Sequence, residues 1–441
     1  MKKKLLAVVV PSLFAASSTA LASGFQLIEQ SASGIGNAYA GSAALAEDAG
    51  TIFYNPAGMT QLGAREVSLG LAVIKPSFKF HDRGSLAAPG VPLPGSNGGD
   101  AGDWAAVPNG YYSQKINDRL WLGLGISAPF GLMTEYDDDW MGRYHSTKFK
   151  IETININPSL AFKVNEVVSL GLGVNVQRME ATYDRYVGLA APPQLRALGV
   201  TDAAMQQTKL RLNADDVSWG WNAGLLLTPT ETTKIGFSYR SKVKQKLDGD
   251  LKAHGPAAAV LDNPRLGLAG VDAKVSVDLP DTFIASVAQG VGERWTLLAD
   301  VSWTGWSSLN VLPIYRSSGV QSGSVADTLA TRFRDTWRVA LGANYRLDER
   351  WLLKFGVAYD ESPVRNAENR LSALPDNDRI WVSFGARWSP DRENRVDIGL
   401  AYLFINDTRI DSNKMADGRG RLTGEYSGDI WLMGVQYSRA F

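Results

Sequence analysis

Beyond residue 62 the chain is built from segments in which large apolar residues alternate with small or polar ones. The alternation is clear in residues 67–73, 120–127 and 168–176, and in residues 351–359 the second face carries Lys354. Successive side chains of a β-strand point to opposite sides, so each segment predicts a strand with two different faces. The face that carries lysine must meet a polar interior, and the apolar face then meets lipid.

The spacing of these segments predicts the topology. Short turns are expected near residues 117–118, 165–166, 230–231, 292–293, 348–349 and 390–391. Long loops are expected at about residues 81–103, 129–148, 187–208, 242–271, 306–331, 360–377 and 406–424. Short turns on one side and long loops on the other are typical of outer-membrane barrels. The predicted fold is therefore an all-β membrane protein, an antiparallel transmembrane β-barrel of about fourteen strands formed by residues 63–441.

Residues 23–62 do not fit this strand pattern. The stretch is rich in glycine, too polar to cross a bilayer and too poor in apolar residues to fold alone. We therefore expect it to form a small N-terminal plug, or hatch, in the lumen of the barrel. Residues 1–22 combine a basic start, an apolar run and a small-residue cleavage site, as a signal peptide does. The apolar run is shorter than the roughly 20 residues that a spanning anchor helix needs.

The amino-acid composition argues against several functional classes of protein. The chain has 45 basic and 45 acidic residues, and this balance lacks the basic excess of a nucleic-acid binder. It has no cysteine, so disulfides and metal-thiolate sites are excluded. The three histidines fall in separate predicted loops, which gives no support to a metal centre or a Ser-His hydrolase site. A soluble β-sandwich would also alternate, but it would not need the aromatic residues near both ends of the last strand.

Several short motifs follow one another in order along the chain. They are Gly24-Phe25-Gln26-Leu27, Ala46-Glu47-Asp48-Ala49-Gly50 and Asn55-Pro56-Ala57, and then residues 219–224 and 360–364. Together they resemble the outer-membrane long-chain fatty acid transporter family, of FadL type. The resemblance implies a barrel closed by a hatch that includes Gly24, Phe25, Asn55, Pro56 and Ala57. It also implies passive transport in the bacterial outer membrane, with no enzyme activity and no cofactor.

Two of the predicted loops are unusually apolar for surface segments. Residues 129–148 and 187–208 supply candidate ligand contacts, namely Phe130, Leu132, Met133, Trp140, Met141, Leu195, Leu198, Val200 and Met205. The residues leave two alternatives open, since these side chains either pack on each other as a lid or form a groove for an apolar ligand. The resemblance implies that two such loops form a first, weak ligand site.

An anionic head group would need a basic partner in the lumen. Strand alternation points Arg185 inward near the external rim, and it also points Arg332, Arg334 and Arg338 inward. Arginine can hold a carboxylate bidentately and stays charged in a desolvated pocket. By the resemblance, Arg185 matches a position that binds the fatty acid carboxylate. The family's second basic ligand has Leu329 in its place, so Arg332 or Arg334 would substitute; the alternative is that these arginines pair with acids of the protein.

The third predicted strand suggests an exit route. It is short, Gly123 and Gly125 face inward, and it is followed at once by Pro129, which cannot donate a ladder hydrogen bond. A bend at this point would open a gap in the wall towards lipid, and the resembled family has a lateral opening at a kinked third strand. The competing route runs through the hatch into the periplasm.

These observations favour a passive channel that captures long-chain fatty acids at the external loops, holds them in the lumen and releases them sideways. Alternatives are the uptake of uncharged compounds such as aromatic hydrocarbons, an outer-membrane lipid hydrolase, and an adhesin or structural barrel. Other expected partners are outer-membrane lipid, lipopolysaccharide and the barrel assembly machinery, because the terminal Phe441 resembles an assembly signal. The run Asp137-Asp138-Asp139 could hold a divalent ion or be merely solvated.

Overall fold

The first and last strands of the barrel pair with each other and close the sheet. The computed structural model describes residues 24–441, so the predicted signal peptide at residues 1–22 lies outside the described residues. Strand β1 (Arg65–Asp82) pairs with β14 (Arg421–Ala440) in an antiparallel register that runs from Glu66 opposite Ala440 to Asp82 opposite Gly424. This pairing leaves the sheet without a free edge, which confirms the predicted closed barrel.

Twelve further strands of residues 24–441 lie between these two, each antiparallel to its neighbours. They are β2 (Ala105–Asn117), β3 (Leu120–Ser127 and Gly131–Glu135), β4 (Lys148–Lys163), β5 (Val168–Tyr186), β6 (Lys209–Leu227), β7 (Thr233–Arg240 and Val243–His254), β8 (Val271–Leu279 and Thr282–Val291), β9 (Trp295–Thr304 and Val311–Arg316), β10 (Val325–Ala330 and Thr336–Arg346), β11 (Trp351–Asp360), β12 (Arg379–Trp388) and β13 (Asn394–Ile405 and Thr408–Asn413). The two parts of a split strand are counted as one because they pair with the same neighbouring strand.

Helical turns occur only in the connections and the N-terminal segment of residues 24–441. The α-helical turns are Thr51–Tyr54, Pro193–Arg196, Asp202–Gln206 and Ala258–Leu261, and the 3-10 turns are Ala32–Asn37, Pro56–Gln61, Met141–Tyr144, Trp306–Ser308, Ala367–Asn369 and Met415–Asp417. A small hairpin, Leu86–Ala88 with Val91–Pro92, lies in the first long loop. No helix among the described residues is long and apolar enough to cross a membrane.

The outer surface of the barrel is apolar, as the alternation predicted. Leu172 and Trp219 are exposed by 62% and 69% on strands whose alternate residues are buried. Exposed tryptophans form two levels, with Trp295, Trp351 and Trp388 next to the short turns and Trp219, Trp337 and Trp431 towards the long loops. Two aromatic levels around an apolar band of about 25 Å are what a transmembrane barrel presents to a bilayer.

Four segments predicted as loops contain strands of the barrel wall. Residues 129–148 contain Gly131–Glu135, and residues 406–424 contain Thr408–Asn413. Residues 242–271 contain Val243–His254, and residues 306–331 contain Val311–Arg316 and Val325–Ala330. In Val243–His254 the residues Val243 and Leu247 are buried, whereas Lys244 and Lys246 are exposed. The wall thus continues beyond the membrane, where its outer face meets water and becomes charged. The loop prediction was wrong because a charged outer face looks like a loop in the sequence.

Residues 24–62, predicted to form the hatch, are mostly buried and pack against the inner faces of the barrel strands. The barrel strands make room for it with glycines on their inner faces. A Cβ atom on Gly171 would lie 2.2 Å from the backbone nitrogen of Ala57, and a Cβ atom on Gly356 would lie 2.2 Å from the carbonyl carbon of Asn37. Any larger residue at these two positions would therefore displace the hatch. The small inward residues of the alternating pattern are explained by this contact.

Charged residues tie the hatch to the wall on the side of the short turns. The Glu47 carboxylate lies 3.4 Å from Lys354 Nζ and 2.9 Å from Arg387 Nη2. Asp397 of β13 lies 2.9 Å from each of the same two cations. Lys354 Nζ also donates a hydrogen bond of 2.9 Å to the hatch carbonyl of Ser33. This buried network fixes the hatch to β11, β12 and β13.

Candidate functional site

Above the hatch the lumen contains a chamber with an almost wholly apolar lining. This apolar chamber is lined by Phe25, Phe149, Ile151, Met179, Ala181, Tyr183, Leu212, Leu247, Val275, Val277, Leu309, Leu312, Ile314, Leu329, Thr331, Leu371 and Leu374. The residues come from the hatch, from the seven strands β4 to β10, from the breaks within β9 and β10, and from the loop between β11 and β12. A cavity lined in this way favours an apolar ligand.

A charged cluster lies at the loop-side end of this chamber. Arg185 Nε donates a hydrogen bond of 2.6 Å to Asp327 Oδ2, and Arg419 Nη2 lies 3.1 Å from the other oxygen of the same carboxylate. Arg185 Nη1 donates to the carbonyl oxygens of Tyr186 and Val187. A small pocket lined by Tyr183, Leu212 and Ile314 joins Arg185 and Asp327 to the apolar chamber. Two arginines against one aspartate leave one positive charge in excess.

Arg332 and Arg334 do not reach the lumen, contrary to the prediction from strand alternation. Both are exposed, and Arg334 Nη2 lies 3.9 Å from Asp378 on the outside of the barrel. Strand β10 is interrupted between Ala330 and Thr336, and Arg332 adopts a left-handed backbone with φ of 47°. The interruption shifts the alternation, so the side chains turn to the other face. Arg338, beyond the break, is buried and points inward as predicted.

The apolar loop residues pack as a lid. Of the nine predicted ligand contacts, seven are buried; Met133 is half-buried and Leu198 is 53% exposed. Trp140 stacks on Tyr136 with ring centroids 3.7 Å apart, and the ring of Phe80 lies edge-on to the ring of Trp140. The helical turn at Asp202–Gln206 begins at Thr201, whose hydroxyl accepts a hydrogen bond from the backbone of Ala204, as expected of a capping residue. Ligand contact by these loops stays a prediction.

The first residues of the hatch form an arm across the lumen. Gly24 N donates a hydrogen bond of 3.0 Å to Asp376 Oδ2, in a loop of the barrel. The ring of Phe25 packs edge-on against Trp306 at 4.9 Å and lies 5.9 Å from Phe130. Phe25 therefore forms part of the floor of the apolar chamber.

The hatch arm also pairs with the barrel wall where β3 is interrupted. Leu27 N donates to the carbonyl oxygen of Pro129 at 2.8 Å, and Gly131 N donates to the carbonyl oxygen of Phe25 at 2.9 Å. The arm thus takes the place of a barrel strand at Pro129, where the prediction from the sequence placed a gap. Sequence reasoning did not identify this pairing, because it joins residues about a hundred positions apart.

The inward glycines of β3 face the hatch. A Cβ atom on Gly123 would lie 2.4 Å from Met59 Sδ, and one on Gly125 would lie 3.3 Å from Cγ2 of Ile52, both in the hatch. Three strands further along the wall, Asn55 Nδ2 donates to the carbonyl oxygen of Leu225 as well as to that of Ala43 in the hatch, so the Asn55-Pro56-Ala57 motif is held against β6. The hatch therefore touches the wall both at β3 and at β6.

Polar groups of the loops form no apparent reactive centre. His145 Nδ1 lies 3.3 Å from Ser412 Oγ, but both residues are buried, and burial lowers the pKa of His145 to about 3. Asp138 pairs with Lys209 at 2.5 Å, and Asp139 accepts a hydrogen bond from Ser96. Within residues 24–441 no three acidic or histidine side chains are arranged to hold a metal ion.

Known proteins resemble this chain in sequence and in fold. Residues 13–441 match the model of the family described as outer membrane protein transport protein (OMPP1/FadL/TodX). The chain belongs to this FadL family. It is 31% identical to the long-chain fatty acid transport protein of Escherichia coli O6:H1, over 100% of this chain and 98% of that protein. It is 32% identical to outer membrane protein P1 of Haemophilus influenzae, over 91% and 90% of the two chains.

Solved structures of the FadL family agree with the fold. The crystal structure of a Pseudomonas aeruginosa FadL homologue superimposes with a TM-score of 0.83 at 27% identity, covering 94% of this chain and 99% of that one. The Ralstonia pickettii toluene transporter TbuX gives a TM-score of 0.65 at 18% identity, a likeness of fold alone. The chain is therefore an outer-membrane FadL-type transporter of hydrophobic compounds and not an enzyme. Membership of this family excludes the alternative of an outer-membrane lipid hydrolase.

Proposed function

We propose that this FadL family member takes up long-chain fatty acids by passive diffusion. The observation that carries the proposal is the apolar chamber with a charged cluster at its loop-side end. A fatty acid needs both features, an apolar lining for the tail and a cation for the carboxylate. The relatives named as long-chain fatty acid transport proteins, at 31% identity over the whole chain, support this choice of ligand.

The proposed route has three steps. The ligand first meets the lid of loops that contains Trp140 and Leu198, of which Leu198 is the more exposed. Its tail then enters the apolar chamber while its carboxylate binds the excess positive charge beside Arg185 and Arg419. It leaves sideways through the interruption of β3 at Pro129, once the hatch arm releases the wall.

Identification of the bound lipid tests the ligand directly. The barrel is purified in a detergent that has no long acyl chain, so that detergent is not mistaken for a bound fatty acid. Lipids are then extracted and analysed by mass spectrometry. We expect free fatty acids at about one molecule per barrel, and uptake of labelled oleate by cells that depend on this protein. A barrel that carries no fatty acid, in cells that take up oleate no faster than a strain without the protein, would refute the proposal.

Uncharged hydrophobic compounds are the second candidate, and one contact favours them. Asp327 already binds Arg185 and Arg419, so each of these two cations has an acidic partner without any ligand. Comparison of oleate with methyl oleate separates the candidates. A fatty acid channel binds the acid more tightly than the ester, and Arg185→Gln removes that difference. Equal binding of acid and ester by the native protein would favour the uncharged class.

Arg185→Gln leaves Asp327 with one cation, so its effect needs a control. In the double variant Arg185→Gln/Asp327→Asn the Asp327 carboxylate, which the single variant leaves paired with Arg419 alone, is also removed. If Arg185 binds the ligand, both variants should lose the preference for oleate over methyl oleate. If only the single variant does, the loss comes from the negative charge of Asp327 and not from a lost head-group contact.

A further inference from the structure

A second cavity lies below the hatch arm and differs in character from the apolar chamber. This lower chamber is lined by Gln26, Leu27, Ile28, Phe53, Tyr54, Ser238, Arg240, Thr282, Ile284, Ser302, Thr304, Thr336, Arg338 and Asp360. One side is the hatch, which contributes mostly apolar groups. The other is the wall formed by β7 to β11, which contributes hydroxyl groups and two arginines. The hatch arm separates the cavities, because Phe25 lines the upper one and Gln26 the lower one.

Arg338 of β10 is a buried cation that uses only part of its hydrogen-bonding capacity. Its side chain is 6% exposed. Nη2 donates a hydrogen bond of 2.7 Å to the hatch carbonyl of Ala38, and the guanidinium lies 5.0 Å from the centroid of the Trp381 ring. Its Nε and Nη1 atoms are buried and have no partner among residues 24–441. An unsatisfied buried charge is costly, so these two donors are unusual for a structural role alone.

The other polar groups of the lower chamber fit an anion at Arg338. The hydroxyls of Ser302 and Thr336 line the cavity on the neighbouring strand and on Arg338's own strand, and no described residue hydrogen-bonds to them. Asp360 is opposite Arg338 across the β10–β11 pair and is the one acidic side chain in the lining. Arg240 lies at the other end, where it stacks on Phe53 and donates to the carbonyl oxygen of that residue. The lining therefore carries two positive charges and one negative charge.

The hydrogen-bond donors of the charged cluster at Arg185 are arranged differently from those of Arg338. Arg185 Nε is bound to Asp327, and its Nη1 is bound to two backbone carbonyls. A carboxylate arriving there competes with an ion pair that is already formed. At Arg338 the Nε and Nη1 atoms are both free but face different directions, so an arriving carboxylate can accept a charge-assisted hydrogen bond from one of them without displacing an ion pair among residues 24–441.

We propose that Arg338 is a second carboxylate-binding position, in the lower chamber, for an anionic amphiphile that has passed the hatch arm. The head group lies between Arg338 and the hydroxyls of Ser302 and Thr336. The tail lies along Leu27, Ile28 and Ile284 on the apolar side of the chamber. This inference rests on the proposed fatty acid ligand, and it assigns to the ligand a resting place that the charged cluster at Arg185 does not provide.

Photo-crosslinking shows where the head group lies in the native protein. A fatty acid with a diazirine next to the carboxyl group is bound to the purified barrel, irradiated and mapped by mass spectrometry. We expect labels on Ile284, Thr336 or Ile28 in addition to labels near Tyr183 and Leu210 beside Arg185. Labels confined to Tyr183 and Leu210 would overturn the proposal and leave the proposed function intact. A native protein that binds no fatty acid would instead overturn the proposed function.

Substitution of Arg338 provides a second, independent test of the proposal. Arg338→Gln should lower oleate binding in the lower chamber about tenfold to a hundredfold, the range of a charge-assisted hydrogen bond, and leave methyl oleate unchanged. Arg338→Lys keeps the charge and should retain most of the labelling. Arg379→Gln is a matched control, because Arg379 is also buried with free Nε and Nη1 atoms but does not line the chamber. Equal losses of acid and ester in Arg338→Gln, or retained head-group labelling, would overturn the assignment.

Discussion

Gln30 of the hatch binds both backbone groups of Ala128 in the barrel wall. Its Nε2 donates a hydrogen bond of 2.7 Å to the carbonyl oxygen of Ala128, and its Oε1 accepts one of 2.9 Å from the amide nitrogen of Ala128. Ala128 lies directly after the first part of β3, where the barrel ladder is interrupted. A side chain of the hatch thus replaces the missing neighbour strand. Closure of the wall at this point depends on the position of the hatch.

Replacement of Gln30 by leucine should loosen this part of the wall. Gln30→Leu keeps the size of the side chain but leaves the Ala128 amide and carbonyl without partners. Two lost hydrogen bonds of about 1 kcal/mol each predict amide exchange at Ala128 about thirtyfold faster, measured by hydrogen–deuterium exchange. Gln436→Leu is the control, because Gln436 accepts a hydrogen bond from the hatch at Ser31, on β14. Unchanged exchange at Ala128 in Gln30→Leu would show that the hatch does not close the wall.

A disulfide between the hatch arm and the wall should block lateral release. Gln26 and Phe130 form an antiparallel bridge flanked by the Leu27–Pro129 and Phe25–Gly131 hydrogen bonds, so their Cα atoms are close enough for a cystine. The native chain has no cysteine that could compete. We expect oxidised Gln26→Cys/Phe130→Cys to stop uptake of labelled oleate and reduction to restore it.

The control disulfide joins the hatch to the wall away from β3. Thr60 Oγ1 and Ser169 Oγ are 2.8 Å apart, so Thr60→Cys/Ser169→Cys links the hatch to β5. If the ligand leaves sideways, this oxidised variant still takes up oleate. Loss of uptake in the control alone would favour a route through the hatch. The substitution Gly123→Val is less informative, because its side chain would collide with Met59 of the hatch.

Lys354 should hold the hatch in place. Lys354→Met removes one of the two cations that join Glu47 and Asp397, the other being Arg387, and breaking a buried ion pair costs about 3 kcal/mol of hatch docking. A less firmly docked hatch lets ions through, so single-channel recordings in planar bilayers should show more frequent openings. Lys234→Met is the matched control, since Lys234 Nζ donates to the hatch carbonyl of Leu45 at 3.2 Å and has no acidic partner within ion-pair distance among residues 24–441. Equal conductance in both variants would contradict a special role of the ionic network.

Docking of the hatch should weaken as the pH rises through the range 4.5 to 7. Burial raises the pKa of the Glu29 carboxyl from 4.5 to about 7, and neither of its oxygens has a partner among residues 24–441. In this range the docked hatch binds more protons than the undocked one, so a rise in pH favours undocking. The effect reaches about 3 kcal/mol above pH 7.

Glu29→Gln mimics the protonated carboxyl and isolates this contribution. Exchange of hatch amides, corrected for the intrinsic pH dependence, should accelerate between pH 5 and 8 in the native protein and much less in the variant. Parallel pH profiles of the two proteins would contradict a protonated Glu29 in the docked hatch.

The sequence by itself determined the strand alternation, the closed fourteen-stranded barrel and the separate character of residues 23–62. These are local properties, because each strand residue faces either the lipid or the lumen. A large apolar residue indicates the lipid face, and a small or polar residue indicates the lumen. The order of motifs was enough to indicate the FadL family. The inward direction of Gly123, Gly125 and Arg338 also followed from alternation within continuous strands.

Only the tertiary structure decided which side chains meet in the lumen. The break in β10 turned Arg332 and Arg334 outward, because an irregular stretch shifts an alternation with a period of two. The pairing of Arg185 with Asp327 and of Gln30 with Ala128 joins residues 142 and 98 positions apart. Such contacts depend on closure of the barrel and on the position of the hatch. Neither can be inferred from the residues that neighbour the contact along the chain. For that reason, the free donors of Arg338 could be recognised only after every neighbour had been placed.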